Sequence, residues 1–235
     1  MEINLNIVYP CYNPSEGWEK KLVASHKKFV LSIPDHYVVQ MILVNDGSTK
    51  GINQNHIVYI RSEIPQMLYI NNTLNSGKGF ALRSAMKKIT DGWIIYTDVD
   101  NPYKLENTLE MFSILRSNEC DVVIGVRPIS YFKQLPLSRF FFSLALRIAN
   151  YLFFPNLFTK DTQSGLKGFN QKGKSIFLKT NINGFLFDIE FIRLCTNEQL
   201  RIRKVKLQLN AGVSFTPLRT KVIKQEIRNF IKLLQ

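Results

Sequence analysis

Three times within the first hundred residues an apolar run of strand length stops at a polar turn, and few folds accommodate that pattern. Leu5 to Tyr9 ends at Pro10 and a Cys-Tyr-Asn-Pro loop; Val38 to Val44 ends in Asn45-Asp46-Gly47-Ser48-Thr49; Trp93 to Tyr96 runs into Asp98, Asp100 and the pair Asn101-Pro102. Runs that are apolar on both sides suit strands covered on both faces. Between them, residues 16–33, about 80–89 and about 104–117 carry apolar positions at helical spacing, and Asp121 to Gly125 is a further strand whose exit carries Arg127. Residues 57–60 and 67–70 read as two more short strands. Strand and helix alternate over the first 127 residues, which predicts an α/β, Rossmann-like fold with a mostly parallel central sheet and helices on both faces.

At 235 residues and 45% hydrophobic, the chain is long enough for a full core in one domain. A net charge of +13 points to an anionic partner: a nucleotide, a nucleic acid or a phospholipid surface. Cys11, Cys120 and Cys195 are odd in number and far apart, which fits reduced thiols of a cytoplasmic protein; His26, His36 and His56 form no metal-binding pair. Met1 leads directly into a strand-like segment without a leader pattern, so secretion is not expected.

Beyond residue 130 the texture changes. Phe140 to Phe154 is densely aromatic, but fifteen residues interrupted by Arg147 and Asn150 are too few to span a bilayer. The segment reads either as a buried core helix or as an amphipathic helix at a membrane surface. Gly184 to Phe191 opens a helix with Asp188 and Glu190 near its start, where capping of the helix and catalysis are both open to them. From Arg219 onward Ile223, Ile227, Phe230, Ile231 and Leu234 recur at helical spacing among Lys221, Lys224, Arg228 and Lys232. We therefore divide the chain into a catalytic domain over 1–218 and a basic amphipathic helix over 219–235.

Four strand-end segments carry polar groups that can converge: Pro10 to Asn13, Asp46 with Gly47, Lys78 with its flanking glycines, and Asp98 with Asp100. Taken alone, the two acids of Asp98-Val99-Asp100 are also what a solvated turn would carry. As a set, the four suit a nucleoside diphosphate: a carboxylate accepts from base or ribose, glycine amides approach phosphate, and a cation bridges acid and diphosphate. The cation is required by charge, because a diphosphate of about two negative charges beside two carboxylates is repelled by several kcal/mol in a partly dry site. Gly77-Lys78-Gly79 lacks the other elements of a Walker loop, and no nucleic-acid recognition motif is present.

Tyr9-Pro10-Cys11-Tyr12-Asn13, Val44-Asn45-Asp46-Gly47-Ser48, Gly77-Lys78-Gly79-Phe80-Ala81, Asp98-Val99-Asp100, Asp161-Thr162-Gln163-Ser164-Gly165-Leu166-Lys167 and Phe187-Asp188-Ile189-Glu190 follow one another in an order that resembles glycosyltransferase family 2. The resemblance covers roughly residues 4–192 and is strongest to the branch that transfers sugars to polyprenyl phosphates, the dolichyl-phosphate glucosyl- and mannosyltransferases. It implies a GT-A fold, a UDP- or GDP-sugar donor, Mg2+ or Mn2+, and inverting transfer of a hexose. It further implies a donor site at Pro10, Tyr12, Asp46, Gly47, Lys78 and Asp98, with Asp100 as the firmest metal ligand beside Asp98. Arg127 would lie near phosphate and take part in the chemistry, and Arg139, Arg147, Asn150 and Ser164 would receive the acceptor, an arginine gripping its phosphate bidentately. An ionised phosphate needs no strong base, whereas a sugar hydroxyl does; Asp188 is then the candidate base, with Glu190 second.

Three positions depart from the family pattern. Pro14 stands where a Glu is frequent, Asn101-Pro102 where lipid-phosphate members often carry Gln, and Leu166-Lys167 where Phe-Arg or Phe-Lys is usual. The expected activity is hexose transfer to a polyprenyl phosphate by a protein peripheral on the inner, cytoplasmic face of the membrane. The alternatives are a saccharide acceptor in surface-polysaccharide synthesis, or sugar-nucleotide binding without catalysis.

Overall fold

The apolar runs assemble into one seven-stranded sheet. The structure is a computed structural model that describes residues 3–132, 135–213 and 220–234. Its strands are β1 (Ile3–Cys11), β2 (Tyr37–Asp46), β3 (Leu68–Asn72), β4 (Trp93–Tyr96), β5 (Val122–Val126), β6 (Lys167–Phe169) and β7 (Ile202–Lys206), in the order β3-β2-β1-β4-β6-β5-β7. All neighbours are parallel except β6, which runs antiparallel between β4 and β5. The helices are α1 (Trp18–Val30), α2 (Gln54–Glu63), α3 (Lys78–Met86), α4 (Leu105–Arg116), the single turn α5 (Ile129–Phe132), α6 (Leu137–Phe153), α7 (Gln171–Phe177), α8 (Phe187–Asn197) and α9 (Thr220–Leu234).

Alternation along the strands sorts the apolar residues into two cores. Leu5, Ile7 and Tyr9 of β1, Met41 and Leu43 of β2 and Ile95 of β4 pack beneath α1, α2 and α4. Val8, Ile42, Val44, Ile94 and Tyr96 point the other way, toward α3, α6, α7, α8 and α9. The result is the expected three-layer arrangement with helices on both faces of the sheet.

Residues 57–60, read as a strand, lie instead within α2. Asn53 accepts from His56 N–H at 3.1 Å while the His56 ring accepts from Asn53 N–H at 3.3 Å, a reciprocal cap that starts a helix. Ile57 and Ile60, one turn apart, are buried, whereas Val58 between them is exposed. A second correction concerns α3, which begins at Lys78 and not near Phe80, so the Gly-Lys-Gly segment is the first turn of a helix and not a loop before one.

The boundary set at 218/219 lies outside the described residues. The helix after it docks by one face: Glu226, Asn229 and Leu233 are buried, and Leu233 joins the core over α8. No helix among the described residues is long and apolar enough to cross a membrane.

Candidate active site

The parallel strands β1, β2, β4 and β5 present their carboxyl ends along one edge, and β1 stands between β2 and β4, where strand order reverses. Open α/β sheets form a crevice at such a point. Asparagine side chains stitch its first wall. Asn13, held at φ 47°, receives Thr49 N–H at 2.9 Å and Lys50 N–H at 3.1 Å on its Oδ1, while its own N–H donates to Ser48 Oγ at 2.9 Å. Ser48 N–H donates to Asn45 Oδ1 at 3.0 Å. Pro10 is buried beneath this wall and Tyr12 reaches out from it half exposed. Gly47, at φ 66°, lies so close to the backbone of Leu74 and Asn75 that a β-carbon would overlap it.

Asp46 is buried, and its oxygens accept from Ser76 N–H at 3.1 Å and Gly77 N–H at 2.8 Å. Burial pushes its carboxyl up, and these backbone bonds oppose the shift. The side chain expected to meet the nucleoside thus holds the loop that leads into α3. The glycine amides are committed as well: Gly77 N–H to Asp46, and Gly79 N–H to Asn183 O at 2.8 Å. Neither is the phosphate donor that the sequence suggested. The glycines instead admit the backbone of residues 182–184, with which β-carbons at 77 and 79 would collide.

Lys78, on the first turn of α3, reaches Asp98 with a short salt bridge. Burial alone would lower its ammonium, but Asp98, Asp188 and Asp100 together raise it. Asp98 and Asp100 sit in the turn just beyond β4, where Asn101 at φ 43° closes a bond from its N–H to Asp98 O at 2.9 Å. Asp100 reaches solvent, yet crowding around its carboxyl, and then the charge of Asp98, push it up against Lys78 and Arg139. Two hard, mutually repelling carboxylates that already draw a lysine as counter-ion form a donor set that fits a divalent cation. Among the described residues no cluster of three His, Cys, Asp or Glu gathers there, so phosphate oxygens and water would complete its shell.

The Asp161 to Lys167 segment covers this pair. A β-carbon at Gly165 would overlap the Asp98 carboxylate, and Gly165 N–H donates to Tyr103 Oη at 3.2 Å. Ser164, expected at the acceptor, is buried and donates to Gly125 O. Arg127 is gripped by Asp161, whose carboxylate accepts from Arg127 N–H at 2.6 Å and from Nε at 3.0 Å. Burial acts to lower the guanidinium, but the charge and hydrogen bonds of Asp161, with Tyr131 and Tyr103, together raise it more.

Behind the site, sequence reasoning missed a buried triad. Lys167 is fully buried, donates to Ser164 O at 2.6 Å and pairs with Asp188 at 2.8 Å; Tyr96 Oη donates to the same carboxylate at 2.6 Å. Burial pushes Asp188 up and Lys167 down, each offset in part by the other. Asp188 therefore ties the covering loop to β4 and is not aimed at open space as a base. Glu190 is likewise engaged, accepting from Asn181 N–H at 3.0 Å and Ile182 N–H at 2.8 Å. The one available signal was a lysine inside the short segment Gly-Leu-Lys-Gly-Phe, where a buried charge must find a partner.

The remaining expected acceptor residues lie on α6. Arg147 stacks over Phe132 with its guanidinium 4.6 Å from the ring centroid, and Arg139 lies near enough to bear on Asp100. Asn150 is buried, its Nδ2 donating to Thr162 Oγ1 at 3.5 Å, and so supports the covering loop from beneath.

The sequence model of Glycosyl transferase family 2 matches residues 6–178. A dolichyl-phosphate beta-glucosyltransferase of Trichomonas vaginalis is 23% identical over 217 residues, which is 88% of this chain and 66% of that protein. The dolichyl-phosphate beta-glucosyltransferase of Saccharomyces cerevisiae is 24% identical over 229 residues, with the same coverage of 88% and 66%. The chain thus spans just under two thirds of the length of these relatives. Among solved structures, glucosyl-3-phosphoglycerate synthase from Mycobacterium tuberculosis, in complex with Mn2+, UDP-glucose and phosphoglyceric acid, superposes with a TM-score of 0.69 at 15% identity, over 99% of this chain and 78% of that one.

Proposed function

Because the chain belongs to glycosyltransferase family 2, we propose that it is a metal-dependent, inverting hexosyltransferase that moves a sugar from a UDP- or GDP-sugar to a polyprenyl phosphate, peripheral on the inner face of the membrane. The observation that carries the reading is the pair Asp98 and Asp100 at the reversal of strand order, with Lys78 against the first and the Ser164-Gly165 loop over it. The relatives named as dolichyl-phosphate glucosyltransferases support the acceptor class. The Mn2+ and UDP-glucose bound in the superposed synthase support a cation and a nucleotide sugar.

In this reading Asp98 and Asp100 would hold Mg2+ or Mn2+, and such a cation would supply positive charge to a departing diphosphate. Lys78 adds a positive charge beside Asp98, and Tyr12 and the Asn13-Ser48 wall flank the nucleoside. Arg147, on the flank of α6, meets the acceptor phosphate, with Arg139 closer to Asp100. The acceptor oxygen is already ionised, so attack on the anomeric carbon needs no base. That requirement agrees with Asp188 and Glu190 being committed to other bonds. It favours a phosphate over a saccharide hydroxyl as acceptor.

The test is calorimetric binding of UDP- and GDP-sugars with and without Mn2+, followed by turnover of wild type and Arg147→Ala. The reading expects metal-dependent binding of one nucleotide class. Arg147→Ala should raise the KM for a short polyprenyl phosphate while donor affinity stays as in wild type. Loss of donor affinity and acceptor use together would make Arg147 a structural residue.

A further inference from the structure

Residues 182–186, between α7 and α8, are gripped from opposite sides. On one side stands α3. Gly79 N–H donates to Asn183 O at 2.8 Å, and the Arg83 guanidinium donates to Ile182 O at 2.9 Å and to Thr180 Oγ1 at 3.1 Å. Two further contacts hold the segment in register: Gln163 of the covering loop donates to Phe185 O at 3.5 Å, and Glu190 accepts from Ile182 N–H at 2.8 Å.

On the other side stands α9. Glu226 is 2% exposed, and its two oxygens accept from Phe185 N–H and Leu186 N–H at 3.0 Å each, just ahead of α8. Asn229, one turn on, steadies the carboxylate by donating from its Nδ2 at 3.3 Å. A β-carbon at Gly184 would overlap both Glu226 Oε1 and Asn229 Nδ2. Glycines at 77 and 79 thus admit the segment against α3, and the glycine at 184 admits the α9 carboxylate against the segment. Among the described residues Glu226 forms no ion pair, so N–H groups alone hold its charge. A buried carboxylate is stable only while such donors stay in place, which makes the contact rigid as well as strong.

A continuous run of bonds therefore leads from Glu226 through Phe185 and Asn183 to Gly79, next to Lys78, whose ammonium pairs with Asp98. We propose that Glu226 is a positioning residue for the donor site: by fixing residues 182–186 it fixes the first turn of α3, and with it the place of Lys78 against Asp98. The tail helix is then part of the catalytic unit, although its carboxylate touches neither donor nor acceptor. The coupling stands on the geometry, and only its purpose rests on the proposed transfer reaction. A carboxylate that merely fastened α9 would leave α3 indifferent to its loss.

The experiment is amide hydrogen exchange at Phe185, Leu186 and Gly79, with the amides of β1 as reference, beside calorimetric binding of UDP-glucose and GDP-mannose with Mn2+. Glu226→Gln keeps the shape of the side chain but turns an N–H toward one of the two donors. It should speed exchange at all three amides, and weaken binding of the preferred nucleotide sugar, by about tenfold each. Gly184→Ala presses on the same carboxylate from the opposite side and should give the same pattern. Circular dichroism should show both variants folded. Met111→Ala, in the core on the far face of the sheet, should lower the melting temperature and leave both readouts as in wild type. Faster exchange confined to Phe185 and Leu186, or an equal response from Met111→Ala, would overturn the proposal and leave Glu226 a fastener of α9. Variants that speed exchange at Gly79 yet bind the donor as wild type does would overturn it too. A wild type that binds neither nucleotide sugar would count against the proposed activity, and exchange at Gly79 would still decide the coupling.

Discussion

Asp98 and Asp100 leave the sheet two residues apart, and their roles separate by what surrounds each. Asp98 is already matched by Lys78, while Asp100 reaches solvent and carries the charge that a cation would meet first. Asp100→Ala should therefore abolish metal-dependent donor turnover while leaving the melting temperature near that of wild type, and unchanged turnover would remove this turn from the site. Gly165 presses on the same pair. Gly165→Ala would force the Asp98 carboxylate aside, costing about 1–3 kcal/mol in thermal unfolding and about a hundredfold in turnover by misplacing it. The buried triad makes a third expectation. Asp188→Leu alone strands the Lys167 ammonium and should cost on the order of 3–5 kcal/mol, most of which returns when Lys167→Met is added. Turnover should return with it; stability restored without turnover would place Asp188 on the acceptor as a base.

Single elements carry their own tests. Helix α1 rests on β1 through His26, a buried imidazole 3.2 Å from Tyr9 Oη. Burial lowers it from 6.5 to about 4, so below pH 6.5 the unfolded chain takes up a proton that the folded chain refuses until about pH 4. Stability is thus full above pH 6.5 and declines between there and pH 4 by about 3 kcal/mol. His26→Gln should flatten that limb in chemical denaturation measured across the interval, and an unchanged slope would show that His26 does not set it. Elements differ in how far the chain announces them. β1, β2, β4 and β5 are legible because strands covered on both faces must be apolar throughout. β6 is not, since three residues, one of them a charged Lys, show no period; its place is set by the gap between β4 and β5. Residues 57–60 are ambiguous for a similar reason, because four apolar residues fit either period and the Asn53–His56 cap decides for helix.

At the scale of the whole molecule two surfaces stand out. The carboxyl edge of the sheet gathers acids and cations from segments far apart in sequence, and the α6–α9 side exposes apolar and basic residues without acids. The order of the motifs made the first surface readable, because strand ends of a parallel sheet converge whatever their distance in sequence. What it did not reveal was which polar groups are used up internally: Asp46, Ser164, Asp188 and Glu190 all hold backbone or buried partners, a matter of three-dimensional neighbours. The second surface was half legible, since helical spacing gives a stripe but not whether it faces the core. Hexose transfer to a lipid phosphate is tested by the mass of a short polyprenyl phosphate incubated with the chain, UDP- or GDP-hexoses and Mn2+ or Mg2+. A lipid heavier by one hexose is expected, formed only with the metal and absent with Asp100→Ala. A donor consumed at the same rate without the lipid, leaving the lipid mass unchanged, would contradict it.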